Sequence, residues 1–543
     1  MVSVFKNISY PLLWADESMT AMGCERVLQY GYPKAHDGKN VVNDMFCNTP
    51  KLGVNEKDDA FIGGANWGQY YIGTIGYMLA NTSDDLYSKT GLFRAFFATL
   101  GLSGLFIFAW CMSLFFAKGS SRYLFLCAFL LAELISVSLI LHLKEVRYYS
   151  PTLLFSSLII VLYVLHRFRK PIHKVIFTVT LTVLLWIMFN MFSPLYFIFI
   201  TTIGLSEIVV AAFQYRKVHN VKNVILFCLP VLLSLLISLI AVYPLMEYFK
   251  TFEMKQMLDK FYGFNSAMYW WHFSVVLRYF RNFELLWLML VLRIWVLAGF
   301  KKIATLNSSV FKVSNFLTLL FVVFIFSVPN VDSPMFTRYL IYMQPVIAVI
   351  AIFDFTLLYS IYKGSLKSPS LIALVSISIC LSGYTFFQNL PYMEGHISEM
   401  THIYKGPLDY TIPYIKSNFP RTDTLTIATN YEETSFMYYL KSKVIEGFVG
   451  NNMPEDTLFS PSIISYRKHI TSFDVFEKFL LKTPYQLIVF PCKDIPVNNI
   501  PELNFESDRF NHYFKSLPPE NDNDATTLGI KQSILPPSLK NGG

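Results

Sequence analysis

Ten apolar stretches fill most of residues 91–388, and each is close to the length needed to cross a lipid bilayer. A transmembrane helix needs about 20 mostly apolar residues, within a range of about 17–25. The sequence therefore predicts a polytopic α-helical membrane protein, in which the seventh and eighth stretches are short for a full span. The predicted spans are residues 91–117, 121–142, 148–166, 174–190, 194–213, 223–244, 285–299, 314–329, 339–361 and 370–388.

Composition supports a membrane protein and argues against a nucleic-acid partner. Hydrophobic residues make up 54% of the chain and charged residues 15%, whereas soluble domains are about 25% charged. The formal net charge is +8, but the basic residues collect in short loops between the predicted spans. This distribution follows the positive-inside bias of membrane proteins. We therefore predict no nucleic-acid binding.

Charge divides the loops between spans into two sets. One set is basic and contains no Asp or Glu: residues 118–122, 167–174, 216–222, 301–312 and 363–367. Because basic loops stay in the cytoplasm, we predict that the alternate segments lie on the extracytoplasmic side of the cell membrane. Those segments are residues 1–90, 143–147, 191–193, 245–284, 330–338 and the region from 389 onward.

Residues 1–90 form an external segment that is too long and too polar for a simple connector. Helical spacing begins near the acidic pair Asp16-Glu17 and stops at the Gly-Tyr-Pro of 31–33, because glycine and proline end helices. A second, aromatic helix is predicted over residues 67–79, lying at the membrane interface. An ordinary interpretation of the acidic pair is that it stabilises a helix N-terminus through the helix dipole.

Three arginines lie at the outer edges of predicted spans, where they oppose the positive-inside bias: Arg94, Arg147 and Arg338. A basic side chain at that depth needs solvation or an anionic partner. Arginine suits phosphate because its planar guanidinium donates paired hydrogen bonds. The sequence therefore predicts an anion site, although the charges of Glu145 and Arg147 are equally consistent with an ordinary loop that contains an ion pair.

The region from 389 onward changes character and predicts a small α/β domain outside the membrane. Short apolar runs indicate buried strands, and they alternate with helical patterns. The tail, residues 517–543, is rich in Pro, Asn and Asp and is predicted to be disordered. Within the domain, residues 389–516, we predict strands at 424–428 and 486–490 and helices at 408–418, 432–441 and 473–482.

Short motifs, taken in order, resemble the GT-C superfamily of membrane glycosyltransferases, in the branch of protein O-mannosyltransferases and bacterial aminoarabinose transferases. Residues 14–21 (WADESMTA), with the Gly-Tyr-Pro that follows, are similar to that family's first external loop. Arg94 fits the start of the family's next span, and residues 145–148 (EVRY) are similar to its second external loop. Residues 337–345 (TRYLIYMQP) are similar to its late R-Y…P element, so the resemblance covers about residues 9–390.

The resemblance implies a fold and an activity. Family members have a transmembrane span before the acidic loop, so about ten spans are expected here, with one N-terminal span missing from the chain. A C-terminal extracytoplasmic α/β domain also occurs in many bacterial members. The implied activity is transfer of a sugar from a polyprenyl-phosphate donor to a lipid, glycan or protein acceptor at the extracytoplasmic face. The sequence names neither the sugar nor the acceptor.

The resemblance also implies roles for particular side chains. A carboxylate can take the proton of an attacking acceptor, and cationic groups can stabilise the departing phosphate. Neighbouring residues on a helix point about 100° apart, so one carboxylate of the acidic pair is expected to do chemistry and the other to orient structure. The candidate catalytic residues are Asp16, then Glu17, and Glu145; the candidate donor-phosphate ligands are Arg94, Arg147, Arg338, Tyr148 and Tyr339.

No cofactor follows directly from the sequence. The chain has no Cys/His spacing typical of a metal site and no glycine-rich phosphate loop. A divalent metal ion remains open, with Glu145 as a second acid that positions either the metal or the acceptor.

A transporter or flippase for lipid-linked or small anionic substrates is the alternative function. It would use the same external cations for binding only. Transporters place ionisable residues near the middle of the bilayer, whereas the mid-span charges here are few. No repeated halves and no paired broken helices appear, so we expect a transferase; a receptor or scaffold has no feature in its favour beyond the C-terminal domain. The mid-span charges are Glu133, Glu207, Arg293 and Asp354.

Overall fold

The fold of the 543-residue chain comes from a computed structural model. It combines an N-terminal segment, a helical bundle and a C-terminal domain. The structure describes residues 2–42, 60–61, 67–261, 263–299, 309–331, 337–362, 369–403, 405–430, 432–445, 461–468, 477, 480–481, 484–490, 493–494, 514–515 and 526–536.

The N-terminal segment is built on three helices: Val2–Phe5 (α1), Ala15–Tyr30 (α2) and Gly68–Ala80 (α3). Helix α2 ends at the predicted glycine, because Gly31 has a φ of +83° and donates its N–H to the carbonyl of Val27. Glycine adopts this left-handed conformation without the steric penalty of a side chain, and it commonly closes helices. The chain leaves the helix at this glycine, two residues before Pro33.

Helices α2 and α3 approach each other closely through small residues. A Cβ atom added at Gly73 of α3 would lie 2.6 Å from Cys24 Sγ of α2. The same face of α3 also contacts the first long helix of the bundle, since that added Cβ would lie 3.3 Å from Phe97 Cζ. The aromatic helix predicted at the membrane interface is therefore packed on one side against protein, while Tyr71, Ile75 and Met78 remain exposed.

A succession of helices from residue 86 onward forms the bundle. Two 3-10 segments, Val328–Asn330 and Thr337–Met343, interrupt its later part. In chain order the helices are Leu86–Ser113 (α4), Ser120–Ile135 (α5), Val137–Leu143 (α6), Tyr149–Phe168 (α7), Lys174–Met191 (α8), Ser193–Val218 (α9), Val221–Tyr248 (α10), Thr251–Phe261 (α11), Ser266–Phe283 (α12), Leu286–Ala298 (α13), Ser309–Ser327 (α14), Gln344–Ile361 (α15) and Pro369–Thr401 (α16).

The predicted apolar stretches are helical over most of their described residues, but not all of them are full spans. By length and composition, seven of the described helices can cross a membrane, or eight if a bent pair counts as one span. Helix α13 and the apolar part of α16, residues 372–388, are shorter apolar helices. The first long helix begins at Leu86, a few residues before the predicted boundary, and α16 continues to Thr401, beyond the predicted end of the bundle.

The second predicted span, 121–142, is not straight. Helices α5 and α6 meet at Ser136 with a bend of 83°. The hydroxyl of Ser136 accepts the N–H of Leu139 at 3.3 Å and so caps the start of α6. Serine is a favoured N-cap because its side chain satisfies a helix-end N–H that lacks an intrahelical partner. The sequence analysis missed the bend because Ser136, the residue that caps α6, lies within an otherwise apolar stretch.

Helices α4 and α7 pack with their backbones close together. A Cβ atom added at Gly104 would lie 2.7 Å from Leu154 Cα and 2.9 Å from its backbone nitrogen. Small residues at helix contacts allow such approach in membranes, where association rests on close packing rather than on hydrophobic burial. Gly104 therefore fixes the distance between two central helices.

Two of the acidic mid-span residues are satisfied by arginines inside the bundle. Glu207 of α9 makes a two-point contact with Arg167 at the end of α7. Asp354 of α15 accepts from Arg293 Nη1 of α13 at 3.2 Å. These ion pairs tie helices together, as expected of charges that are costly to leave alone in a membrane protein.

The C-terminal domain is an α/β unit with a five-stranded mixed sheet. The elements of the domain are Leu408–Asn418 (α17), Thr426–Thr429 (β1), Glu433–Leu440 (α18), Lys443–Ile445 (β2), Ile463–Tyr466 (β3), Tyr485–Phe490 (β4), Lys493–Asp494 (β5), Phe514–Lys515 (β6) and Thr526–Lys531 (β7). The strand order of the sheet is β2-β1-β3-β7-β4, with β1 parallel to β2 and β3, and β7 antiparallel to β3 and β4.

The prediction of a disordered tail is wrong for residues 526–531. They form β7, an inner strand of the sheet, and Ile530 pairs with both Ile463 and Gln486. The strand was missed because Asn, Asp and Pro dominate the tail's composition, while its five-residue run of Thr, Leu, Gly and Ile, residues 526–530, is buried only by long-range pairing. The helix predicted over 473–482 lies mostly outside the described residues.

The N-terminal segment and the C-terminal domain are bound to each other on one side of the bundle. The N–H of Leu13 donates to the hydroxyl of Tyr439 at 2.9 Å. The N–H of Leu12 donates to the carboxyl of Asp409 at 3.2 Å, and Lys441 Nζ lies 2.6 Å from a carboxylate oxygen of Glu25. The two regions therefore lie at the same end of the bundle.

Candidate active site

The acidic residue Asp16 lies between two arginines that come from distant parts of the chain. Its Oδ2 atom is 3.3 Å from Arg147 Nη2 and 3.3 Å from Arg338 Nη2. The arginine side chains are only 8% and 7% exposed, whereas the Asp16 side chain is 23% exposed. The arrangement is a solvent-reachable carboxylate set over two buried guanidinium groups, with a net charge of +1.

Three different elements bring this cluster together. Asp16 lies in the first turn of α2, where a carboxylate is favoured by the helix dipole. Arg147 lies in the turn between α6 and α7, and its Nη1 also donates to the backbone carbonyl of Asp16 at 3.3 Å. Arg338 lies in the 3-10 segment Thr337–Met343 that leads into α15. All three sites are at the same end of the bundle as the C-terminal domain.

Electrostatics keep Arg147 charged despite its burial. Burial alone lowers the pKa of its guanidinium, but attraction to the Asp16 carboxylate and to the hydroxyl groups of Tyr149 and Tyr148 outweighs it. The pKa of Arg147 therefore lies above its ordinary value. A permanently charged, largely desolvated guanidinium is a strong partner for an anion, because the low local dielectric weakens screening.

The second acidic residue, Glu17, faces elsewhere. Its Oε1 atom accepts from Arg94 Nε at 2.9 Å and from the N–H of Val146 at 3.0 Å, and its Oε2 atom contacts Arg94 Nη2. Both side chains are fully buried. Arg94 also donates to the carbonyl groups of Ile8 and Pro11. The two neighbouring carboxylates thus contact different arginines. Asp16 is partly exposed and contacts Arg147 and Arg338, whereas Glu17 is buried and contacts Arg94.

Aromatic rings surround the two buried guanidinium groups. The centre of the Arg338 guanidinium is 5.8 Å from the Trp14 ring and 6.0 Å from both the Tyr149 and Tyr339 rings. The Arg147 guanidinium is 5.4 Å from the Tyr148 ring. Cation–π contacts of this kind stabilise arginine where water is excluded. Of these rings, Tyr148 and Tyr339 were predicted from the sequence, whereas the roles of Trp14 and Tyr149 were not.

Phe192 completes the aromatic wall and was missed by the sequence analysis. Its ring stacks on Tyr148 at 5.2 Å between centroids and lies 5.4 Å from Tyr339 and 5.9 Å from Tyr342. Phe192 belongs to the short connection between α8 and α9, so its sequence position next to a span gave no sign of this contact. The wall is apolar and adjoins the two guanidinium groups.

Glu145 is buried beside a histidine rather than beside Asp16. Its Oε1 atom lies 3.1 Å from His142 Nδ1, and both side chains are fully buried. The carbonyl of Glu145 accepts the N–H of Arg147 at 2.8 Å. Glu145 therefore helps to shape the turn that carries Arg147. Among the described residues, no group of three or more His, Cys, Asp or Glu side chains is placed to hold a metal ion.

The C-terminal domain reaches the edge of this cluster through helix α18. The hydroxyl of Ser18, two residues after Asp16, lies 2.7 Å from the hydroxyl of Thr434 and 3.0 Å from that of Ser435. Thr434 also donates to the carbonyl of Ala15 at 2.9 Å. The first turn of α2 is thus held from the domain side as well as from the bundle side. Sequence reasoning missed these contacts, because more than 400 residues separate the partners.

Comparison with known proteins gives a fold match. No protein-family model matches the sequence, and no curated protein sequence matches it significantly. Among solved structures, the fold is similar to that of ArnT from Cupriavidus metallidurans in the apo state, with a TM-score of 0.52 and 11% sequence identity. The likeness covers 99% of this chain and 97% of that chain. ArnT is an aminoarabinose transferase of the GT-C type, so the fold resemblance predicted from the sequence is confirmed.

Proposed function

We propose that this protein is a membrane glycosyltransferase that moves a sugar from a polyprenyl-phosphate donor to an acceptor at the extracytoplasmic face of the cell membrane. One observation carries the proposal: Asp16 Oδ2 lies 3.3 Å from both Arg147 and Arg338, in a fold shared with ArnT. A reachable carboxylate and two buried cations in contact supply a base and a phosphate site within one cluster.

The charge of the cluster and the apolar surface beside it suit a lipid-linked phosphate. Two guanidinium groups and one carboxylate leave one positive charge, and phosphate accepts paired hydrogen bonds from arginine. The aromatic wall of Tyr148, Tyr339 and Phe192 offers an apolar surface beside those cations. A polyprenyl phosphate has the matching combination of a charged head and an apolar chain.

The reaction we propose is a displacement at the anomeric carbon. An acceptor hydroxyl or phosphate oxygen attacks that carbon, the bond between carbon and the donor's phosphate oxygen breaks, and the phosphate leaves with the electron pair. Arg147 and Arg338 stabilise the negative charge that develops on the leaving group. When the phosphate takes over their hydrogen bonds, Asp16 is released to accept a proton from an attacking hydroxyl group.

The remaining predicted site residues receive supporting roles in this proposal. Arg94 is assigned to holding α2 rather than to the donor phosphate, because Glu17 and the carbonyl groups of Ile8 and Pro11 accept from its guanidinium. Glu145 is assigned to shaping the turn of Arg147 through its contact with His142. These are positioning roles, since the side chains of Arg94 and Glu145 are fully buried, whereas that of Asp16 is 23% exposed.

Transfer assays test the proposed function directly. Purified full-length protein, reconstituted in lipid, is incubated with radiolabelled polyprenyl-phosphate sugars and an extract of membrane acceptors. We expect label to move covalently from the donor to an acceptor. Movement of intact donor across the bilayer, with no change in its covalent structure, would instead support the transporter or flippase and would overturn the transferase.

A further inference from the structure

A second acidic centre lies inside the bundle, at the bend between α5 and α6. Ser136, at the bend, donates its hydroxyl to Glu284 Oε1 at 2.8 Å. Glu133 lies three residues earlier, at the end of α5, where its backbone carbonyl accepts the N–H of Ser136 at 3.3 Å. Its carboxyl group lies within electrostatic range of the Glu284 carboxyl group. Two carboxyl groups from distant helices therefore lie near one bend of a broken span.

Glu284 is held in place through one oxygen only. Its Oε1 atom accepts from Ser136 and, at 2.8 Å, from the hydroxyl of Tyr279. Its Oε2 atom is buried and has no hydrogen-bond partner among the described residues. The side chain is thus oriented by two donors while its second oxygen is left available.

Glu133 is buried with even less compensation. Glu133 is only 6% exposed. Neither of its carboxyl oxygens has a hydrogen-bond partner in the described part of the chain. The other mid-span acids, Glu207 and Asp354, each contact an arginine. An unpaired carboxylate in an apolar interior is costly, so an ionisable residue left in this state inside a membrane protein indicates a bound partner.

A neutral side chain adds an independent indication. Gln344 is 1% exposed and donates its Nε2 to the carbonyl of Ala132 at 3.3 Å, which places its amide on the turn that carries Glu133. Its Oε1 atom is buried and has no partner among the described residues. Unsatisfied oxygens thus come from Glu133, Glu284 and Gln344. A single shared proton would serve only two of these atoms, whereas hard divalent cations take several oxygen ligands at once.

We propose that Glu133, Glu284 and Gln344 form a binding site for a hard divalent cation such as Ca²⁺ or Mg²⁺. Two carboxylates balance the charge of the ion, and the amide oxygen and water complete an all-oxygen shell. The site is separate from the Asp16 cluster and contacts no substrate.

The position of this site suggests what the cation does. Helix α6 runs from the bend at Ser136 toward the turn that holds Arg147. Gln344 follows directly after the 3-10 segment that holds Arg338. A cation bound at the three side chains would link the start of α6 to the end of the 3-10 segment. It would thereby fix the separation of the two segments that carry Arg147 and Arg338.

Cation binding is measured on full-length protein in nanodiscs after treatment with a chelator. Ca²⁺ and Mg²⁺ are titrated separately, and bound metal and the thermal unfolding midpoint are recorded. We expect one equivalent of bound cation and a saturable rise in the midpoint. Glu133→Gln and Glu284→Gln should each weaken binding at least about tenfold, the loss expected for a charge-assisted contact. Glu133→Gln removes a buried charge and leaves no cation unpaired, so it should fold.

Glu25→Gln is the control, because it removes a carboxylate of α2 whose partner Lys441 is exposed, and it should keep wild-type cation affinity. Absence of a bound cation in wild-type protein would overturn the proposal, and stability that depends on pH but not on cation would identify a shared proton instead. Unchanged affinity in both glutamine variants would also overturn it. The readouts are binding and stability, so they are independent of the proposed transfer reaction.

Discussion

Glu17 and Arg94 form a two-point ion pair with both side chains fully buried, in which Arg94 Nε lies 2.9 Å from Glu17 Oε1. The same carboxylate accepts the N–H of Val146, the residue before Arg147. One carboxylate thus connects α2, α4 and the turn that carries an arginine of the candidate site. The pair fixes the orientation of α2, and with it the direction in which Asp16 points.

Glu17→Gln should destabilise the protein rather than merely inactivate it. Removing one partner leaves the buried charge of Arg94 uncompensated, which costs about 3–5 kcal/mol in such pairs. Thermal unfolding in detergent measures the loss. Glu25→Gln is the control, because Glu25 lies on the same helix and its partner Lys441 is exposed. Equal midpoints for wild type and Glu17→Gln would contradict a structural role for the pair.

Asp16→Asn should abolish transfer while leaving fold and donor binding nearly intact. Loss of a general base typically lowers the rate about 10²–10⁴-fold. Single-turnover transfer rates and donor affinity are measured on the same preparations, again with Glu25→Gln as the control. Near-normal turnover in Asp16→Asn would remove Asp16 from the mechanism and direct attention to Glu17 and Glu145.

Arg338→Ala should weaken donor binding by roughly tenfold to a hundredfold, because a charge-assisted contact contributes about 1.5–3 kcal/mol. Arg338→Lys should recover only part of the affinity, since lysine lacks the paired-donor geometry of arginine. Binding of a polyprenyl phosphate is compared at equal fold stability. Arg281→Ala, at an exposed arginine of α12, is the control. Wild-type affinity in Arg338→Ala would leave that residue a packing role only.

Gly104→Ala should lower stability by about 1–3 kcal/mol, the usual cost of overpacking a core. The added methyl group would meet the Leu154 backbone at 2.7 Å, and a backbone cannot move aside as a side chain can. Gly204→Ala tests the same change in α9, where nothing lies within 4 Å of the added atom. It should leave stability unchanged or slightly raised. Equal effects of the two substitutions would show that α4 and α7 are not in close contact.

The contribution of Asp409 to the stability of the folded protein should fall as pH rises. Burial raises the pKa of Asp409 to about 6, more than the N–H groups of Gly406 and Leu12 lower it. A carboxyl whose pKa is higher in the folded state stabilises that state below its unfolded pKa, near 3.8, and loses this contribution as pH passes about 6. The full effect is on the order of 3 kcal/mol.

The unfolding midpoints of wild type and Asp409→Asn, compared between about pH 4 and pH 8, measure this effect, because asparagine does not titrate. Wild type should lose stability relative to the variant across that range. A constant difference would show that Asp409 keeps the same protonation state throughout.

The helices could be predicted because their signals are local. Apolar length marks the bundle, and the glycine at 31 marks the end of α2 through its left-handed backbone. The separate orientations of Asp16 and Glu17 follow from the 3.6-residue period of a helix. Each of these features depends on residues within one or two turns of each other.

Features that depend on distant contacts could not be predicted. Strand β7 is inner only because β3 and β4 pair on either side of it. Phe192 and Tyr149 join the site because the connection between α8 and α9 lies against the start of α7, where both rings contact Tyr148. No sequence spacing records that contact. Ser136, at the bend between α5 and α6, donates its hydroxyl to Glu284, which lies 148 residues later in the sequence.

The contact of α18 with the first turn of α2 has a consequence for biosynthesis. The ribosome makes Asp16 and Ser18 before the helical bundle, whereas Thr434 and Ser435, which hold that turn, come after the whole bundle. The first turn of α2 is therefore not held from both sides until the C-terminal domain has been translated and folded. A chain interrupted before this point would already contain Asp16 and both arginines, yet the turn that carries Asp16 would lack its contacts with Thr434 and Ser435.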